Sequence, residues 1–185
     1  MSTDDDEAVR RSLDGDLDAY AALVARYTAP AHRAAVMFGA GDDADDVVQE
    51  AFIKAYRHLA KFRRGEVFRP WLLQIVVNET RNLHRSRRRL DGLVLRASAL
   101  TPSGVVAPDD PELTALSSER RSALLVAVRS LPEKYRQAVT CRYFLELSEA
   151  ETAQVLGWPA GSVKSRTARA LARLQQALGK EDRDG

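Results

Sequence analysis

Apolar residues return every three or four positions along most of this chain and hardly ever at every second position, so its segments can bury one stripe of a helix but not one face of a sheet. The spacing predicts an all-α protein. Leu13, Leu17, Tyr20, Leu23, Val24 and Tyr27 mark an early amphipathic helix expected to end near Pro30, which cannot donate a hydrogen bond inside a helix. A second segment from Ala31 to Phe38 stops at Gly39 and Gly41. Asp42 and Asp43 suit the positive start of a further helix, in which Val48, Phe52 and Tyr56 lie four apart and face the core. Arg63, Arg64, Gly65 and Glu66 then form a polar break, and Pro70 fits the first turn of a helix running from about Trp71 toward Arg88.

The pattern lapses once. Between Leu90 and Thr114 lie Gly92, Ser98, Pro102, Ser103, Gly104, Pro108 and Pro111, the composition of a linker. Two small helical domains are expected, residues 1–90 and 115–185, joined by a flexible linker over 91–114 that spans on the order of 80 Å when extended. The second unit begins near Leu116, with Leu124, Val128 and Leu131 at core spacing. Ser130-Leu-Pro-Glu133 and Ser148-Glu-Ala-Glu151 both fit the capping box, in which a hydroxyl and a carboxylate three residues apart satisfy the open amides of a helix start. The helix after Ser148 stops at Gly157-Trp158-Pro159, and a last helix turns Val163, Ala170, Leu171, Leu174 and Leu178 inward.

Charge is distributed as unevenly as the breakers. The net value of +2 conceals an acidic stretch at residues 1–52, with about 4 basic and 12 acidic side chains, followed at 53–90 by about 11 basic and 2 acidic. The first basic zone peaks at Arg81, Arg85, Arg87, Arg88 and Arg89, and a second comprises Lys164, Arg166, Arg169 and Arg173. Arginine supplies most of this charge, and its planar fork suits phosphate oxygens. Nucleic acid is the expected partner.

Other classes lack their residues. His32, His58 and His84 have no metal-ligand spacing, Cys141 has no partner motif, and no GxxxxGK[ST] phosphate loop occurs, so neither catalysis nor a cofactor is expected. The carboxylates of 42–50 lack the loop glycine of a calcium-binding hand. A single cysteine excludes an intrachain disulfide framework and fits a reducing cytoplasm. The acidic N-terminus is unlike an export signal, and no apolar run approaches the roughly 20 residues of a membrane span.

Residues 148–173 have the organisation of a helix-turn-helix: a short capped helix, a tight glycine turn, and a second helix with polar and basic residues near its start. Lys164 and Ser165 are placed to read base edges, while Arg166, Arg169 and Arg173 suit phosphate. In the first unit, Asp45, Asp46, Gln49 and Glu50 present an acidic surface suited to a basic protein partner. The segment from Phe62 to Phe68 combines aromatics, arginines and a glycine that could hold an unpaired base. By themselves these features fit an autonomous helix-turn-helix activator or repressor; a promoter-selecting subunit of a polymerase is what a family resemblance implies.

Four motifs in order resemble the extracytoplasmic-function (group 4) sigma factors of bacterial RNA polymerase. Asp43-Ala-Asp-Asp-Val-Val-Gln-Glu-Ala-Phe52 is similar to region 2.2 of that family, and Lys61-Phe-Arg-Arg-Gly-Glu-Val-Phe-Arg-Pro-Trp-Leu72, continuing through Asn78 and Arg81, to regions 2.3 and 2.4. Leu131-Pro-Glu-Lys-Tyr-Arg136 and Gly161-Ser-Val-Lys-Ser-Arg166 are similar to region 4. The resemblance implies that Asp45, Asp46, Gln49 and Glu50 dock on the β′ clamp helices of core RNA polymerase, with region 4 on the β flap. It implies that Phe62, Arg63, Asn78, Arg81 and Arg85 recognise the −10 element and capture a flipped base, and that Lys164, Ser165, Arg166, Arg169 and Arg173 bind the −35 element. An anti-sigma factor is a further implied partner. Glu79, a carboxylate next to Asn78, is out of place on a surface meant for DNA.

Overall fold

The computed structural model of the chain describes residues 3–62, 66–94 and 118–184. Its helices are α1 (Thr3–Leu13), α2 (Leu17–Met37), α3 (Ala44–His58), α4 (Phe68–Val94), α5 (Ser118–Ser130), α6 (Glu133–Val139), α7 (Glu149–Leu156) and α8 (Ala160–Asp184). No strand occurs among the described residues. The chain divides into two compact units, one holding α1 to α4 and the other α5 to α8. Arg63, Arg64 and Gly65 of the expected polar break, and the expected linker from residue 95 onward with Leu116, lie outside the described residues.

In the first unit the sequence spacing misplaced one boundary. Leu13 to Tyr27 is not a single helix, and Pro30 ends nothing: α2 passes through it. The break falls at Gly15, whose φ of +93° is open to glycine, and Asp16 caps the new helix by accepting from Ala19 N–H at 3.1 Å. Arg11 also binds Asp16, and the Ala19 amide and that guanidinium together hold the Asp16 carboxyl below its usual range. Pro30 is tolerated because Leu23, Tyr27, Ala31 and Ala34 make one continuous buried stripe across it, and burial of that face outweighs one missing backbone hydrogen bond. Alanines do much of the packing. Ala31, Ala34 and Ala35 on α2 and Ala51 and Ala55 on α3 are all fully buried, so the backbones approach closely around Leu72, Leu73, Val76 and Val77 of α4. Val48 and Phe52 are buried as the spacing predicts, but Tyr56 is 40% exposed and meets the Tyr20 ring at a tilt of 59°, with centroids 4.8 Å apart.

The second unit is smaller. Val128, Leu131, Tyr135 and Val139 pack against Ala170 and Leu174 of α8, with Leu124 and Leu178 at the edges. Leu171, expected to turn inward, is instead 39% exposed, because it lies about 100° around the helix from Ala170. The Ser130 capping box also fails. Ser130 is the last residue of α5 and donates its hydroxyl to Ala127 O at 2.7 Å, while Pro132 occupies the start of α6 without a side-chain cap. A π-helical turn, Thr140–Phe144, follows α6, and the chain then reverses through Glu146 at φ +49° into α7.

Candidate nucleic-acid interface

Ser148 and Glu151 form the expected capping box: Glu151 N–H donates to Ser148 Oγ at 3.2 Å, and Ser148 N–H to Glu151 Oε2 at 2.7 Å. The helix ends at Gly157, whose φ of +67° turns the chain, and Trp158 N–H closes the end on Ala153 O at 2.9 Å. Val163, fully buried, sets the rotation of α8. That rotation turns Lys164, Ser165, Arg169 and Arg173 to solvent and leaves Arg166 half-buried. Lys164 and Arg169 have no ion pair among the described residues. Ser165 donates to Ser162 O at 3.2 Å, which fixes its hydroxyl and leaves oxygen lone pairs outward. The sequence anticipated the capped helix, the glycine turn and cations that stay off the buried side of α8, but it missed what steadies two of them. The Arg166 guanidinium lies 4.0 Å from the centroid of the Trp158 ring, and that of Arg173 lies 4.9 Å from the Tyr135 ring.

On α4 the residues singled out recur every three or four positions: Asn78, Arg81 and Arg85 run along a side that flanks buried Leu73, Val76, Val77 and Thr80. Asn78 and Arg85 are exposed and Arg81 is half-buried. Glu79 finds its explanation here. Its carboxylate turns toward α3, 13% exposed, and accepts from Lys54 Nζ at 2.5 Å. This contact, with a weaker one from Glu50, raises the Lys54 ammonium above its usual range. Asn82 Nδ2 donates to Glu79 at 3.2 Å and its carbonyl accepts from Arg85 at 2.5 Å, so a chain of hydrogen bonds runs from α3 to the exposed arginine. Phe62 is half-buried and meets Trp71 and Phe68 edge-on, with centroids 5.3 and 6.0 Å away. A ligand-facing Phe62 and a core-facing Trp71 and Phe68, separated in the sequence argument, thus share one aromatic cluster. Arg63 lies outside the described residues.

Asp45, Asp46 and Gln49 are exposed on α3, opposite buried Val47, Val48 and Ala51, while Glu50 is half-buried and paired with Lys54 at 3.3 Å. Asp45 and Gln49 line an apolar groove of about 550 Å³ between α2 and α3, with Tyr20, Val24, Phe52 and Ile53. The sequence signal for it was available, because Gln49 to Ile53 and Phe52 to Tyr56 carry apolar groups one turn onward on the outer side. Among the described residues no group of three or more His, Cys, Asp or Glu could hold a metal, and no helix is long and apolar enough to cross a membrane.

The Sigma-70 region 2 family matches residues 17–90, and Sigma-70, region 4 matches residues 121–174. The ECF RNA polymerase sigma-E factor of Escherichia coli K12 is 36% identical over 171 residues, which is 90% of each chain. The chain belongs to the ECF sigma factors. The RNA polymerase sigma-H factor of Pseudomonas aeruginosa is 37% identical over 180 residues, 94% of this chain and 93% of that one. In the solved structures, CnrH in complex with the cytosolic domain of CnrY is similar with a TM-score of 0.68 at 27% identity, covering 96% of this chain and 98% of that chain. The sigma factor RpoE of Bartonella quintana, in complex with the anti-sigma factor NepR, shares the fold at a TM-score of 0.65 and 24% identity over 86% of this chain and 96% of that chain. As a sigma factor the protein directs core RNA polymerase to promoters, and it is not itself an enzyme. The autonomous activator or repressor finds no support in these relatives.

Proposed function

We propose that each patch described above performs one task of promoter recognition. Residues 1–90 form the unit for polymerase and the −10 element, residues 115–185 the unit for the −35 element, and 91–114 the tether between them. Asp45, Asp46, Gln49 and Glu50 offer carboxylates and an amide beside an apolar groove to the β′ clamp helices. Electrostatic attraction would steer that encounter, while the groove supplies buried area. On α4, Asn78 contacts a base edge, Arg81 and Arg85 hold backbone phosphates, and Phe62 with Arg63 frames a flipped base. Stacking on an aromatic contributes about 1–3 kcal/mol per base, enough to help keep an opened duplex from closing.

On α8, Lys164 and Ser165 read the −35 duplex and Arg166, Arg169 and Arg173 grip its phosphates. The observation that carries this reading is the set of cations on α8, none of which has a carboxylate partner among the described residues and two of which rest on aromatic rings. Region 4 would also meet the β flap. CnrH and RpoE were each solved with a bound partner, in the second case named an anti-sigma factor, and by analogy this chain binds an anti-sigma factor of its own. Its place of action is the cytoplasm, where core polymerase and promoters meet.

Run-off transcription with purified core polymerase and random promoter fragments tests the function: transcripts that require the chain, from start sites sharing two spaced elements, are expected. Asp46→Arg with Glu50→Arg should abolish copurification with core polymerase while the helical circular dichroism stays intact. Undiminished copurification refutes the docking assignment.

A further inference from the structure

Arg166 is the half-buried member of the basic set on α8, yet its seat is a ring and not a carboxylate. The residue that supplies the ring has a well-fixed backbone. Trp158 lies between Gly157, at φ +67°, and Pro159, with its backbone N–H bonded to Ala153 O at 2.9 Å, so the main chain that carries the indole is fixed in the turn of the helix-turn-helix. Two helical turns further on, Arg173 repeats the arrangement over Tyr135, which is 6% exposed. Seven residues separate the two arginines, so they share one edge of α8.

The chemistry of the seat matters. A carboxylate would occupy guanidinium N–H groups and cancel their charge, whereas an aromatic face attracts the cation through its quadrupole and leaves all five N–H donors pointing outward in the plane. The arginine loses rotamer freedom before DNA arrives and none of its binding capacity.

We propose that Trp158 is a positioning residue for DNA binding, holding the Arg166 guanidinium with its donor edge toward the phosphate backbone. This rests on α8 lying against the −35 duplex. The test uses holoenzyme, assembled from core RNA polymerase and the full chain, with the upstream duplexes it retains from a random-sequence pool. Trp158→Leu should weaken binding about three- to tenfold, and Trp158→Tyr and Trp158→Phe, which keep a π face, should restore most of the loss. In an Arg166→Ala background, Trp158→Leu should cost nothing further, and Arg166→Ala alone should lower the slope of log K against log salt by about 1. A purely structural tryptophan would instead weaken binding by the same factor in both backgrounds, and that result overturns the proposal. Should Trp158→Leu not fold, Trp158→Met, which also lacks a π face, takes its place, and binding by it as tight as by the Trp form overturns the proposal as well. Arg166→Ala without effect, beside an Arg169→Ala that weakens binding, removes Trp158 and Arg166 from DNA recognition while the helix-turn-helix reading stands. Indifference to Lys164→Ala, Arg166→Ala and Arg169→Ala alike defeats that reading itself.

Discussion

The two units treat charge in opposite ways. In the first, several cations are committed to carboxylates within the fold: Arg26 to Asp4 and Asp5, Arg87 to Asp43, and Lys54 to Glu50 and Glu79, while Arg81 and Arg85 on α4 have none among the described residues. In the second, no ion pair occurs among the described residues, and Arg166 and Arg173 rest on aromatic rings. Exposed ion pairs contribute little to stability, generally under about 1 kcal/mol, so the pairs of the first unit chiefly orient side chains and separate an acidic surface on α3 from a basic one on α4. The described cations of α8 in the second unit stay uncancelled, as the proposed grip on the −35 duplex requires. One unit separates two surfaces by internal neutralisation, and the other presents one potential.

That contrast can be broken most severely in the core. Phe68, 2% exposed, joins Tyr27, Phe62 and Trp71 in one aromatic cluster, and Phe68→Ala should cost the first unit about 3–5 kcal/mol while leaving the second unchanged. Each unit holds one of the two tryptophans, so denaturation followed by Trp71 in a Trp158→Phe variant, and by Trp158 in a Trp71→Phe variant, separates them. Loss of both transitions together would show that the units fold as one.

Alkali should act next most strongly, again on the first unit. Burial is the main cause that lifts the phenols of Tyr20 and Tyr27 from 10.0 to about 12, with the Asp5 contact adding to it at Tyr27. The unfolded chain releases these protons near pH 10 and the folded chain keeps them, so stability falls as pH rises from 10 toward 12. Lys54 works in the same direction, since its paired cation stabilises the fold below the ordinary value of 10.5 and stops doing so as pH climbs through its raised one. Trp71 should report unfolding that Tyr20→Phe shifts to higher pH; an unshifted midpoint counts against the buried phenol.

A smaller effect sharpens the second unit. Ser148→Ala removes one half of the capping box and should cost about 1 kcal/mol, seen as a lower midpoint for Trp158 alone. The smallest change has the opposite sign. Glu146 holds a left-handed φ of +49°, a conformation that costs a side chain roughly 1 kcal/mol, so Glu146→Gly should leave thermal stability unchanged or raise it slightly. A clear loss would mean that the Glu146 side chain makes a contact worth more than the strain.

What local sequence encodes and what it does not divide along a physical line. The Ser148 cap, the Gly157 stop and the Asn78, Arg81, Arg85 stripe depend on residues within about one or two turns of each other, and their spacing is visible in one dimension. Pro30 misled because its local preference was overruled by a buried stripe that continues past it. Ser130 misled because the same hydroxyl that could cap α6 could equally bond back to Ala127.

Amino-acid order alone thus settled the helical class, the family and the segments that carry charge, since these follow from periodicity, caps and motif. Tertiary packing decided which charges are spent and which are left: Glu79 turned to Lys54, Arg87 to Asp43, and Arg166 onto Trp158. Those choices rest on distances between residues as much as 44 positions apart, fixed only when the helices pack, and no local pattern encodes them.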